Sequence, residues 1–143
     1  MTKISGIFLA AIFAGLSLLH VFWAFGGSFG KGATVPSVGG KPAFHPSPVG
    51  TVLVSVAFLI AMLVILGQVG ILGQAVPARL FRWSTWAISA VFFLRAVGEF
   101  RLVGFFKQVR ATEFAFWDTW LFSPLCVLIA VIAFIVAYKY KAP

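Results

Sequence analysis

Apolar residues dominate four stretches of the chain, from about Ile4 to Phe25, Val49 to Leu72, Trp83 to Phe100 and Leu121 to Tyr138. Polar side chains within them are few: Ser5, Ser17 and His20 in the first, and Thr51, Ser55 and Gln68 in the second. A helix rises about 1.5 Å per residue, so about 20 apolar residues span the roughly 30 Å hydrocarbon core of a bilayer. The pattern therefore predicts an all-α fold, a bundle of four transmembrane helices forming one integral membrane domain over residues 1–143. Lys3 before an apolar run also suits a signal peptide, but the run is too long for an h-region and no A-x-A-like site follows. It is read as a retained helix.

The segments between the spans differ from one another. Residues 26–50 hold seven of the 14 glycines and four of the seven prolines (Pro36, Pro42, Pro46 and Pro48). Glycine frees φ and proline removes a donor, so neither helix nor strand is expected to persist there. Gly73 to Arg82 reads as a short turn. Between the third and fourth spans, Phe100, Val103, Phe106 and Val109 recur at helical spacing with Arg101, Lys107 and Arg110 among them. This suits an amphipathic interfacial helix, a continuation of the third span, or a plain connecting loop. Pro124 falls in the first turn of the fourth predicted helix, where a missing N–H does no harm. Small residues recur four apart at Gly6/Ala10, Ala11/Gly15, Ala57/Ala61 and Ala133/Ala137, a spacing that lets helices approach closely in lipid.

Composition sharpens this picture. The chain is 62% hydrophobic and 10% charged over 143 residues; soluble domains are nearer 45–50% and 25%. The formal charge of +8 comes from 11 Lys and Arg against three acids. These cations lie mainly beside the apolar runs, where membrane proteins keep them, and no basic face suggests nucleic acid as a partner. The single cysteine, Cys126, can form neither an internal disulfide nor a C-x-x-C pair. Four crossings place both termini on one side. Lys3, Arg79, Arg82, Lys139 and Lys141 share that side, five cations against five on the other (Lys31, Lys41, Arg101, Lys107 and Arg110). The terminal side has no acids and packs its cations against helix ends, so both termini are assigned to the cytoplasmic face of the cell membrane.

Candidate chemistry gathers on the other side. Arg95 lies inside the third span, where burying an arginine costs about 2.5–3.5 kcal/mol. Glu99 follows at i+4 on the same helix face and is the nearest candidate counter-ion. Asp118 is free to pair with Arg101 or Arg95. His20, with Trp23 one turn later, adds an imidazole near the end of the first span. The same side collects His20, His45, Arg95, Glu99, Arg101, Asp118 and Ser123, and all three acids. His20, Trp23, Arg95, Glu99, Arg101 and Asp118 are the candidate pocket residues. No His-x-x-His or Glu-x-x-His spacing supports a metal or haem, and no cofactor is expected.

Several motifs, taken together, resemble a known family: His20-x-x-Trp23-Ala24-x-Gly26-Gly27, Phe81-Arg82-Trp83, Arg95-x-x-Gly98-Glu99-Phe100-Arg101, Gly104-Phe105-Phe106-Lys107, Phe114-x-x-x-Asp118 and Ser123-Pro124-Leu125-Cys126. They are similar to the signature of small bacterial membrane proteins of unknown function. The resemblance covers nearly the whole chain. It implies a four-helix membrane protein and no activity.

Three functions compete on these residues. One is binding of a lipophilic small molecule or lipid in a polar-capped pocket within the bundle. Another is an enzyme on a lipid or isoprenoid-like substrate, with Glu99 or Asp118 and His20 as acid–base candidates. The third is an accessory subunit packed against a membrane partner protein or a second copy of the chain.

Overall fold

A computed structural model describes residues 2–72 and 76–139. Four long helices form: α1 (Thr2–Ala24), α3 (Pro48–Gln68), α4 (Ala78–Val97) and α6 (Ser123–Lys139). Between α1 and α3 lie a one-turn helix, α2 (Lys31–Thr34), and a two-residue antiparallel hairpin of β1 (Ser37–Val38) and β2 (Lys41–Pro42). A short α5 (Glu113–Trp117) leads through a π-helical turn, Asp118–Phe122, into α6, giving one continuous helix of 27 residues. Three helical stretches, Thr2–Ala24, Pro48–Gln68 and Glu113–Lys139, are long and apolar enough to cross a membrane. α4 is 20 residues long but carries Arg79, Arg82 and Arg95 and is not in that set.

Local chemistry fixes the helix ends. Ser47 caps α3, its Oγ accepting the Gly50 N–H at 3.0 Å, and Pro48 occupies the first turn, where no N–H is needed. α3 stops at Gln68, four residues short of the Leu72 expected from hydropathy. Gly70 takes φ 70°, and the Gly70 and Ile71 amides turn back onto the Gly67 and Leu66 carbonyls, which closes the helix as a Schellman motif. α4 begins at Ala78, inside the stretch read as a turn, because Pro77 fixes the entry and Ala78 to Leu80 are good helix formers. It ends at Val97 rather than Phe100, where Gly98 adopts φ 87° and ψ −177°. Between the third and fourth predicted spans, residues 98–112 form no helix, which corrects the reading of an amphipathic interfacial helix there, whereas Glu113–Trp117 at the end of that connection is helical.

The last helix departs most from expectation. Thr112 caps it, accepting the Ala115 N–H at 3.0 Å, so it starts eight residues before Leu121. Pro124 therefore lies in its interior, not its first turn. A proline ring there would collide with the carbonyl four residues back. The widened π turn lies immediately upstream of it, the kind of adjustment that absorbs such a clash. The closing aromatic and basic anchor keeps Tyr138 and Lys139 within α6, whereas Tyr140 and Lys141 lie outside the described residues, as do Gly73 to Ala75 of the predicted turn.

The helices pack as two antiparallel pairs, α1 with α3 and α4 with α6, and the pairs meet through narrower α3–α4 and α1–α6 contacts. Each pair has a polar rivet. Ser17 and Ser55 exchange hydroxyl-to-carbonyl bonds at 3.0 Å. Ser89 donates to the Ala130 carbonyl at 2.8 Å. Near the terminal end the pairs close on a buried apolar core of Leu9, Phe13, Ile65, Ile129 and Ala133, and Gly6 admits Val69 against the α1 backbone. Of the small-residue pairs, Gly6/Ala10 and Ala133/Ala137 are buried. Ala11 and Gly15 face outward, and Ala57 and Ala61 line a cavity. The outward faces are apolar, as at Leu18, Leu53, Ile60, Phe93 and Leu94, which suits lipid as the surrounding solvent.

Candidate functional site

The two helix pairs part toward the end that carries the long loops and flank a half-open chamber of about 650 Å³. Leu16, Leu19, His20 and Trp23 of α1 face it. So do Phe58 and Ala61 of α3, Ile88, Phe92 and Arg95 of α4, and Leu125, Cys126 and Ile129 of α6. The alanines at 57, 61 and 87 on facing walls leave space that longer side chains would fill. Phe58 and Phe92 of the lining pack against the buried Phe13, with ring centroids 5.6–6.5 Å apart. α2 packs on α5 across the mouth, and Thr34 and Phe114 belong to the lining.

His20 stands on the chamber wall between Trp23 and Phe58, with ring centroids 4.9 and 5.1 Å away. Its Nδ1 is 2.8 Å from the Leu16 carbonyl oxygen. A carbonyl only accepts, so Nδ1 carries the proton and Nε2 is the ring's remaining polar atom. Trp23 donates its Nε1–H to the Phe29 carbonyl at 2.8 Å, tying the start of the first loop to α1. A second cavity of about 430 Å³ on the loop side shares His20, Trp23 and Thr34 and adds Lys31 and His45.

Behind the chamber lies an ion cluster built on Asp118, whose side chain is 0% exposed. Its Oδ1 accepts from Arg95 Nη2 at 2.8 Å. Its Oδ2 accepts from the Gly104 amide at 2.8 Å and from Lys107 Nζ at 3.0 Å. The Lys107 ammonium, 2% exposed, also donates to the Gly104 carbonyl at 3.0 Å and to Thr119 Oγ1 at 2.7 Å. Lys107 thus spends all three of its protons, and Asp118 engages both oxygens. The 98–112 segment is held to the helix end by these bonds and by the Phe105 amide on the Ala96 carbonyl at 2.8 Å. Its path requires two glycines. Gly98 and Gly104 have φ 87° and 88° and pass so close that a methyl group on either would overlap the backbone of the other's neighbourhood.

The predicted candidates are sorted by this geometry. His20, Trp23 and Arg95 line one chamber, and Asp118 stands behind Arg95. The expected Arg95–Glu99 pair is replaced by Arg95–Asp118, because α4 ends at Val97 and turns Glu99 out of helical register. The Glu99 carboxylate instead accepts the Leu102 amide. Glu99 and Arg101 are exposed and are not among the chamber residues. Lys107, Gly98 and Gly104 were not singled out as site residues. Sequence offers no signal that sets Lys107 apart, because it is the non-helical path of residues 98–112 that folds it inward onto Asp118. Arg95 Nη1 and Ser123 Oγ are buried, and neither has a hydrogen-bond partner among the described residues. Among the described residues, no group of three or more His, Cys, Asp or Glu side chains is placed to hold a metal ion.

Residues 13–133 match the model of a family described as "Protein of unknown function (DUF3995)". No curated protein and no solved structure matches the chain.

Proposed function

The chain belongs to that family of unknown function, and from this premise we propose that it binds a lipophilic small molecule or lipid in the chamber between its two helix pairs. In this reading α4 crosses the bilayer with the other three long helices, and both termini lie in the cytoplasm, opposite the chamber's mouth. One observation carries it: the bundle is close-packed around a buried apolar core at the terminal end yet holds about 650 Å³ of apolar-walled, half-open space at the other. That volume lies within the roughly 300–1,000 Å³ of small-molecule sites, which are likewise mostly apolar with a few convergent polar groups. The enzyme alternative has less support, since Asp118 has both oxygens engaged and Glu99 is outside the chamber, leaving His20 alone for acid–base work.

Filling the chamber tests the reading. Ala87→Phe projects a ring from the α4 wall, and Ala57→Phe does so from α3. In phosphatidylcholine nanodiscs each is expected to weaken binding of oleyl alcohol about tenfold or more, while thermal unfolding stays close to that of the parent, because both alanines are exposed rather than core residues. Unchanged affinity in both variants would overturn the proposal.

A further inference from the structure

We propose that the chamber's ligand is an anionic single-chain amphiphile, a hydrocarbon chain in the apolar depth with a carboxylate or phosphate head at Arg95. The inference rests on the chamber being a ligand site and adds the chemical class of the ligand. It draws on three independent features.

The chamber is graded in polarity along its length. Leu16, Ala61, Ile88 and Ile129, farthest from the loops, bring no polar group, whereas Arg95, His20 and Thr34 sit toward the mouth. An elongated molecule with one polar end fits such a gradient in a single orientation.

Arg95 is half used. Nη2 is bonded to Asp118, while Nη1 is enclosed and has no acceptor among the described residues. A charged donor shielded from water and without an acceptor is costly, and because the Arg95 side chain is 34% exposed its head can turn Nη1 onto a ligand oxygen in the chamber.

The charge does not close. Arg95 and Lys107 supply two positive charges against one negative on Asp118. Lys107 is sealed by its own bonds and is not a chamber residue, so the uncompensated charge faces the chamber at Arg95. A neutral hydroxyl or ester oxygen would satisfy the hydrogen bond and leave the charge. An anion satisfies both, in surroundings where the low dielectric enlarges the difference. Carboxylate and phosphate share this chemistry, and the planar guanidinium suits either.

The test compares oleate, oleyl phosphate and oleyl alcohol on the full chain in zwitterionic phosphatidylcholine nanodiscs at pH 8, with binding to empty discs subtracted. At least one acid is expected to bind about tenfold or more tighter than the alcohol. Which acid binds tighter assigns the head. Arg95→Gln should bring acid and alcohol within about twofold of each other. Val91→Asp, which places a carboxylate one turn from Arg95 without touching the Asp118 pair, should do the same if Arg95→Gln does not fold. Equal binding of acids and alcohol to the unmodified chain, or a preference that survives both variants, would overturn the inference and leave the chamber as a site for neutral lipid. Failure of all three probes, the alcohol included, would remove the ligand site itself and this inference with it.

Discussion

Asp118→Ala is expected to cost about 3–5 kcal/mol of stability, the penalty for breaking a buried ion pair by removing one partner. The loss is set by what remains. Asp118 accepts from two cations and an amide at once; its removal takes the acceptor from Arg95 Nη2 and from the Gly104 amide, and leaves the buried Lys107 ammonium with two neutral acceptors and no counter-ion. The two cations are not equivalent. Arg95 is 34% exposed and long enough to swing its head toward the mouth, whereas Lys107 is 2% exposed and has nowhere to go. Most of the cost should therefore come from Lys107. Adding Lys107→Met to Asp118→Ala is expected to restore a substantial part of it, since an apolar side chain of similar length removes the stranded charge. Denaturation by SDS in mixed micelles, followed by circular dichroism, measures both. A loss below about 1 kcal/mol in the single variant, or no recovery in the double, would mean that the cluster does not fasten the 98–112 segment.

What could be read from the sequence, and what could not, divides by the range of the interaction. Burial in lipid is decided by composition over about 20 residues, so the long apolar helices were legible wherever hydropathy was continuous. Helix ends are decided by single residues. Gly70, Pro77, Gly98 and Thr112 each moved a boundary by several positions through a φ angle or one hydrogen bond, while hydropathy ran on past them. Topology alone placed His20, Arg95 and Asp118 at one end of the bundle, because alternate crossings must bring those helix ends together. It could not select among Arg95's possible counter-ions. The i+4 rule favours Glu99 only while the helix continues, and the helix stops at Val97. Asp118 wins because it is the acid that the fold buries, and a buried carboxylate requires its cations far more than an exposed Glu99 does. Lys107 escaped notice for a related reason: read between apolar neighbours it looked like the polar face of an interfacial helix, and only the non-helical path of residues 98–112 folds it inward. The end of the bundle where a pocket opens was legible through His20, Trp23 and Arg95, but the chamber's volume was not. It arises from three alanines on facing walls, and alanine is common in any membrane helix.

Gly98→Ala should be the most damaging change that removes no polar group. At φ 87° and ψ −177° Gly98 occupies a region of backbone space that is essentially closed to L side chains, at a cost of about 1–3 kcal/mol. The added methyl would also overlap the Val103 carbonyl. Backbone at Val103 cannot easily withdraw, because the next residue, Gly104, donates its amide to Asp118. Overpacking of this kind adds about 1–3 kcal/mol, and the sum is expected near 2–6 kcal/mol. Two other glycines separate the contributions. Gly26 has φ 93° with open space around its Cβ position, so Gly26→Ala should show the conformational cost alone. Gly15 lies within α1 at an ordinary φ with nothing nearby, and Gly15→Ala should be neutral or stabilising by up to about 1 kcal/mol, as in any exposed helix. The expected order of destabilisation is therefore Gly98 above Gly26 above Gly15. In Gly98→Ala the damage should be local first: the Phe105 amide, bonded to Ala96 across the crossing point, should lose hydrogen-exchange protection before the α1–α3 pair does. If Gly98→Ala costs no more than Gly26→Ala, the two strands of this crossing are not in contact, and the anchoring of the segment to Asp118 must be weaker than the bond distances imply.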